Sequence, residues 1–214
     1  PESLSRSSPG VRFSGGTDVR VPAICVCPID MAVLGGPGTV VGWLLAILVA
    51  SVSAPSGQVA EHDVKAAYLY NFTKFVEWPD GVPAAEQPFR LCVVADAATT
   101  EAVTRTMAGE SVGGRPAETV VPDSPKSVHD CQILFVGRDS MTRAARLLDA
   151  AKGRPILVVG EVPGFAKRGA GAIEFVREQS RLRFEINVAV AKGSGLSISS
   201  RLLQVARVTY GVGQ

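Results

Sequence analysis

The chain has 214 residues, 46% of them hydrophobic, and its 22 basic residues stand against 20 acidic ones for a formal charge of +2. A balance this even removes the electrostatic case for nucleic-acid binding, which needs a basic surface. The length suits one domain with a proper core.

Residues 1–30 start at Pro1 and are rich in Ser, Gly, Pro and Arg. The first methionine is Met31, so this stretch is expected to lie upstream of the translation start. From Met31 to Ala60 there is no charged side chain, and an apolar core, Val40 to Val52, runs into Val52-Ser53-Ala54. Small side chains around Ser53 give the pattern of a signal-peptidase site. The apolar core is about a dozen residues, short of the roughly 20 that a membrane-spanning helix needs, and an uncleaved anchor is the alternative. Residues 31–54 are therefore expected to be a signal peptide cleaved near Ala54, leaving 55–214 as one domain in the periplasm. Processing removes Arg6, Arg12 and Arg20 together with Glu2, Asp18 and Asp30, so the charge is unchanged. Cys25 and Cys27 leave as well. Cys92 and Cys131 remain, and an even pair in an oxidising compartment reads as a disulfide. A redox or catalytic thiol is the alternative, although no Cys-x-x-Cys follows residue 54.

The first predicted element is a helix from about Glu61 to Glu77, with Val64, Ala67, Tyr68, Phe72, Phe75 and Val76 on one apolar stripe. Acidic residues in its first turn suit the helix dipole, and Pro79 stops it. Strands are predicted at Phe89 to Ala95, Glu118 to Val121, Cys131 to Gly137 and Ile156 to Gly160, with helices at Thr99 to Met107 and Ser140 to Lys152. The strands are continuous apolar runs, as in sheets covered on both faces. The order predicts an α/β layered domain with a mainly parallel sheet flanked by helices. After a loop rich in Gly and Pro, Ala172 to Arg177 and Leu182 to Val188 alternate with period two and predict an antiparallel C-terminal hairpin, one face inward and one polar. A short strand at Ser197-Ile198 and a helix from Arg201 to Val208, capped by Ser199 or Ser200, complete the chain.

Catalytic patterns are not evident. His62 and His129 have no partner at metal-ligand spacing, so neither a metal nor another cofactor is expected. His129-Asp130-Cys131 does not make an activated thiol, because neighbours on a strand point to opposite faces. The stretch from Gly160 to Gly171 imitates a phosphate cradle, but it lacks both GxGxxG and GxxxxGK[ST] and precedes a strand rather than a helix. Glu174 and Glu185 face each other across the hairpin, where Arg177 and Arg183 offer salt-bridge partners. A non-enzymatic protein is the expectation.

Two stretches, YLYNFTKFVEWP from Tyr68 to Pro79 and RFEINVAVAKGSGLSISSRLL from Arg183 to Leu203, flank LCVV at Leu91 to Val94 and CQILFVG at Cys131 to Gly137. Together they resemble the YfiR family of periplasmic proteins, over about Ala60 to Val208. The resemblance implies an exported α/β domain that represses a membrane-bound GGDEF diguanylate cyclase through its periplasmic region and so lowers cyclic-di-GMP. It further implies an outer-membrane lipoprotein that sequesters the repressor, and it leaves room for a homodimer. The family's bridging cysteines match Cys92 and Cys131. Some relatives carry a second pair around Ala166 and Ile173; this chain has none there, which leaves the Pro163 to Gly171 loop free to move.

Two surfaces are candidates for partner contact. On the first helix, Leu69, Tyr70 and Lys74 lie off the apolar stripe and Trp78 closes it; aromatics outside a core stripe are common interface anchors. On the hairpin, Arg183, Glu185 and Asn187 share one face, for which a solvated ladder of charges is the alternative. The rival to a regulator is a module that senses a small ligand, held in a crevice at the carboxyl ends of the strands by the loops after Ala95, Gly137 and Gly160.

Overall fold

A computed structural model describes residues 60–211. The expected upstream segment, 1–30, and the expected signal peptide, 31–54, lie outside the described residues. The elements are α1 (Glu61–Phe75), β1 (Val76–Glu77), β2 (Phe89–Val94), α2 (Ala97–Met107), β3 (Ser111–Val112), β4 (Arg115–Val120), β5 (Ile133–Val136), α3 (Met141–Ala151), β6 (Leu157–Gly160), β7 (Ile173–Glu178), β8 (Arg181–Asn187), α4 (Val188–Gly193), β9 (Ser197–Ile198), α5 (Ser200–Val205) and β10 (Val208–Tyr210). Short 3-10 turns at Lys126–Asp130 and Arg138–Ser140 lead into β5 and α3.

The main sheet runs in the order β10-β8-β7-β6-β5-β2-β4-β3. From β4 through β2, β5 and β6 to β7 every pair is parallel, β7 and β8 form the antiparallel hairpin, and β10 returns parallel to β8. The expected α/β class with a mainly parallel sheet is observed. Continuous apolar strands have a physical cause here. Leu91, Val93, Ile133, Phe135, Leu157 and Val159 pack under α1 and α2, while Cys92, Val94, Leu134 and Val136 pack under α3. Each strand is thus covered on both sides, and polar residues in its middle would be desolvated without partners.

The disulfide is formed: Cys92 on β2 is bonded to Cys131, in the turn before the neighbouring β5, with 5.8 Å between their Cα atoms. It closes 39 residues of sequence.

Several boundaries differ from the expectations. Helix α1 ends at Phe75, not Glu77, because Val76 is extended and pairs with Ile198, while the Ser199 amide donates to the Phe75 carbonyl. The second expected strand starts three residues earlier, at Arg115, and the third two residues later, at Ile133. The hairpin's second strand stops at Asn187, whose side-chain oxygen accepts from the Val190 amide and caps α4, a helix not expected. The last helix stops at Val205, and the residues after it form β10.

Candidate functional site

The loops after Ala95, Gly137 and Gly160 come together at the carboxyl ends of β2, β5 and β6. They border a crevice of about 770 Å³ that extends over the polar face of the β7–β8 hairpin, with the first turn of α1 and the C-terminal strand β10 as its other walls. Carboxyl ends of parallel strands are where such sheets open to a ligand.

Several of the charges in this crevice are tied to fixed partners, whereas Arg138, Asp139 and Lys167 in its lining make no ion pair among the described residues. Glu174 is 2% exposed, and its carboxylate accepts from the amides of Gly164 at 2.8 Å and Ala166 at 3.0 Å. Those are the amides a phosphate cradle would use, so the cradle suggested by Gly160 to Gly171 is filled by the protein's own carboxylate. Glu185, 5% exposed, accepts from the Tyr210 hydroxyl at 2.7 Å and is paired with Arg207. Buried Glu161 is paired with Lys65 at 2.8 Å, and Lys65 also reaches Glu61 at 3.1 Å. Arg177 pairs with Glu61. The effect of Glu185 shows on its partners: its negative charge raises Arg207 above its ordinary value, and its hydrogen bond raises Tyr210. Asp96, at the same rim, is the cap of α2; the Thr99 amide donates to it at 2.9 Å and holds its carboxyl below the usual value.

The carboxylate oxygens of Glu174 and Glu185 are thus already committed to fixed donors: two amides for the first, an arginine and a phenol for the second. What the crevice can do is hold a polar guest against a preset pattern of charge.

The hairpin expectation is corrected at two positions. Arg183 is exposed, but Glu185 and Asn187, the latter 8% exposed, are buried. They are not a solvated ladder, because the 161–172 loop and β10 cover that face. Asn187 donates to the Ala166 carbonyl at 2.8 Å. The same contacts overturn the expectation of a loose Pro163 to Gly171 loop. Glu174 and Asn187 pin it, and Phe165 is fully buried between Gly160 and Gly171. A Cβ on Gly160 would come within 2.6 Å of the Phe165 ring, and one on Gly171 closer still.

Helix α1 is rotated from its expected stripe. Ala66, Leu69, Phe72 and Thr73 are its buried residues, and Leu69 is 0% exposed. Leu69 packs in the main core and is not available to a partner. Apolar side chains surround this helix, so two stripes one residue apart were both present in the sequence; α2 on one flank and the hairpin and α5 on the other selected between them. Tyr70 is half-buried and hydrogen-bonded to Glu110, which raises its pKa, and Lys74 sits 4.2 Å from the centre of the Tyr70 ring. Trp78 stands edge-on to Phe89 at 5.0 Å and donates to the Gln132 carbonyl at 3.2 Å, which gives it a structural role. These side chains do not converge with Arg183, Glu185 and Asn187 on one surface: Glu185 belongs to the crevice and Tyr70 to the α1–α2 flank.

Sequence reasoning placed the crevice's loops but missed most of its charges. Lys65 and Glu161 carried no motif. Arg207 and Tyr210 fall where a helix ending was expected. The one available signal was a glutamate at the inward end of each hairpin strand.

A family model described as YfiR/HmsC-like matches residues 62–207. No curated protein matches the chain. Among solved structures, an ABC domain from Streptococcus pneumonia in complex with L-Trp is similar at 12% identity and a TM-score of 0.42, over 57% of this chain and 55% of that one. A conserved domain protein from Vibrio cholerae O1 biovar eltor is similar at 11% identity and a TM-score of 0.45, over 70% of this chain and 60% of that one. The chain thus spans little more than half the length of either structure.

Proposed function

This chain belongs to the YfiR/HmsC-like family, and on that premise we propose that it is an exported, non-enzymatic regulator that inhibits a membrane-bound GGDEF diguanylate cyclase through the cyclase's periplasmic region. The observation that carries this reading is the family match over residues 62–207. The disulfide between Cys92 and Cys131 supports it, since such bonds persist in oxidising compartments. Among the described residues no helix is long and apolar enough to cross a membrane.

Inhibition requires tighter binding to the inactive than to the active state of the cyclase. A tenfold difference in affinity corresponds to about 1.4 kcal/mol, within reach of a few interface side chains. An outer-membrane lipoprotein that competes for the same surface would relieve the inhibition, and a homodimer would present that surface twice. Deleting the gene and measuring cyclic-di-GMP tests the reading: a rise is expected, and unchanged levels would end it.

The crevice favours a second reading, a sensor of a small polar molecule. A ligand bound at one hundred times its dissociation constant would add about 2.7 kcal/mol of stability by mass action. A thermal-shift screen of polar metabolites on the purified domain separates the readings, since a regulator without a ligand shows no shift with any of them.

A further inference from the structure

Strand β10 is at once an edge of the main sheet and a wall of the crevice, and little of it enters the core. Val208, Thr209 and Tyr210 are half-buried, and after Leu202 no side chain among the described residues is fully buried. The strands beside it differ. On β7 and β8, Ile173, Phe175, Phe184 and Ile186 are each at most 3% exposed. Apolar burial is what makes a strand costly to open, so β10 belongs to the least stable part of the sheet.

Polar groups hold β10 instead. The Arg207 amide donates to the Phe184 carbonyl at 2.8 Å, and the three residues of β10 pair with Glu185 to Asn187. The Arg207 side chain, 43% exposed, reaches Glu178 at 3.2 Å and is paired with Glu185, to which the Tyr210 hydroxyl donates at 2.7 Å. Ion pairs this open to water add little stability. The far end of the segment is nevertheless fitted. Gly211 has a φ of +66°, and a Cβ there would stand 2.5 Å from the Ala189 Cβ and 2.9 Å from the Ala189 nitrogen. A chain end that merely frays needs no such seat.

We propose that β10 is a latch on the crevice: hinged at Ala206, it lifts from β8 as a unit while the rest of the sheet stays folded, and in lifting it bares Glu185. Closed, Glu185 takes both its side-chain partners, Arg207 and Tyr210, from this one segment. Open, it is an unpartnered carboxylate in the crevice wall, directly across the hairpin from Glu174. The other cover of that face, the 161–172 loop, is anchored by fully buried Phe165 and stays in place. The latch is a property of the fold and stands under either functional reading.

The test follows the purified full chain by amide exchange and by carbodiimide labelling of carboxylates, both read by mass spectrometry. The Arg207 amide and the β10 amides paired with β8 are expected to show protection at least about a hundredfold below that of Ile133 to Val136, because they open without global unfolding. Glu185 is expected to label while Glu174, 2% exposed beneath the loop, stays unlabelled over the same period. Gly211→Ala removes the seat and should raise β10 exchange and Glu185 labelling together by about tenfold, leaving Glu174 and Ile133 to Val136 unchanged. Gly113→Ala carries a similar positive φ at a turn where a Cβ meets nothing within 4 Å, and should alter neither readout. Protection of β10 equal to that of β5 overturns the proposal. So does labelling of Glu174 in step with Glu185, or Gly211→Ala behaving like Gly113→Ala. Should Gly211→Ala fail to fold, exchange and labelling of the unaltered chain still decide.

Discussion

The two faces of the β7–β8 hairpin solve opposite problems with the same seventeen-residue stretch of chain, about 172–188. One face buries Phe175 and Phe184 against Phe72 and Tyr68, with ring centres 5.3 to 5.9 Å apart. The other buries Glu174, Glu185 and Asn187. The first is stable because water is excluded from apolar surface. The second is stable because every polar group taken from water meets a fixed partner: two amides, an arginine and a phenol, or a carbonyl. Alternation therefore tells which side of the sheet a residue faces. It does not tell whether that side is wet.

The comparison can be broken most severely on the apolar face. Phe72→Ala should cost about 3–5 kcal/mol, the usual range for a fully buried aromatic, read as a fall in the urea midpoint. The opposite side of the sheet offers the next largest effect: reducing the Cys92–Cys131 bond should cost roughly 3 to 4 kcal/mol on the chain-entropy account for a loop of this length. A melting curve unchanged after thiol titration confirms reduction would show that the bond adds nothing to stability. On the charged face, Glu174→Ala strands two buried amides and should cost about 2 kcal/mol. It should also loosen the 161–172 loop, visible as faster amide exchange at Gly164 and Ala166. If exchange stays slow, Phe165 and Asn187 hold that loop without Glu174.

Smaller effects sharpen the picture at the crevice rim. Asp96→Ala should cost about 1 kcal/mol, as loss of a helix cap does. Because the folded state lowers the Asp96 pKa below 3.8, its contribution is complete above that value. It is lost as pH falls through the lowered value, so the unaltered chain and the variant should converge in stability in acid. Tyr210 behaves in the opposite sense. Its pKa is raised above 10.0 by Glu185, so its contribution is complete below that value and is lost as pH rises through the raised one. Ultraviolet titration of Glu185→Gln should bring one phenol back toward its ordinary range.

How much of this was legible beforehand follows from what each signal measures. The parallel sheet was legible because doubly covered strands must be apolar throughout, as Leu91 to Val94 and Ile133 to Val136 are. The crevice's position was legible because loops at strand carboxyl ends share one side of such a sheet. Its chemistry was not, since Lys65 meets Glu161 across 96 positions of sequence and Arg207 reaches Glu185 from the bend before β10, a strand too short to carry a pattern. The burial of Leu69 was hidden for a related reason: α1 carries apolar groups on nearly every side, and only its neighbours decide which are covered. Strand β10 escaped because Ala206 to Val208 extends a plausible helical stripe, and its pairing with Glu185 to Asn187 is a long-range event.

The two ends of the described domain share a neighbourhood. The first turn of α1, through Glu61 and Lys65, and the last strand, through Tyr210, are walls of one cavity. A purification tag fused at either terminus would hang over that opening and compete with whatever enters it. Conversely, a short linker between the two ends would give a circularly permuted protein, with new termini at the Gly113-Gly114 turn, in which the cavity is reached without an overhanging tail.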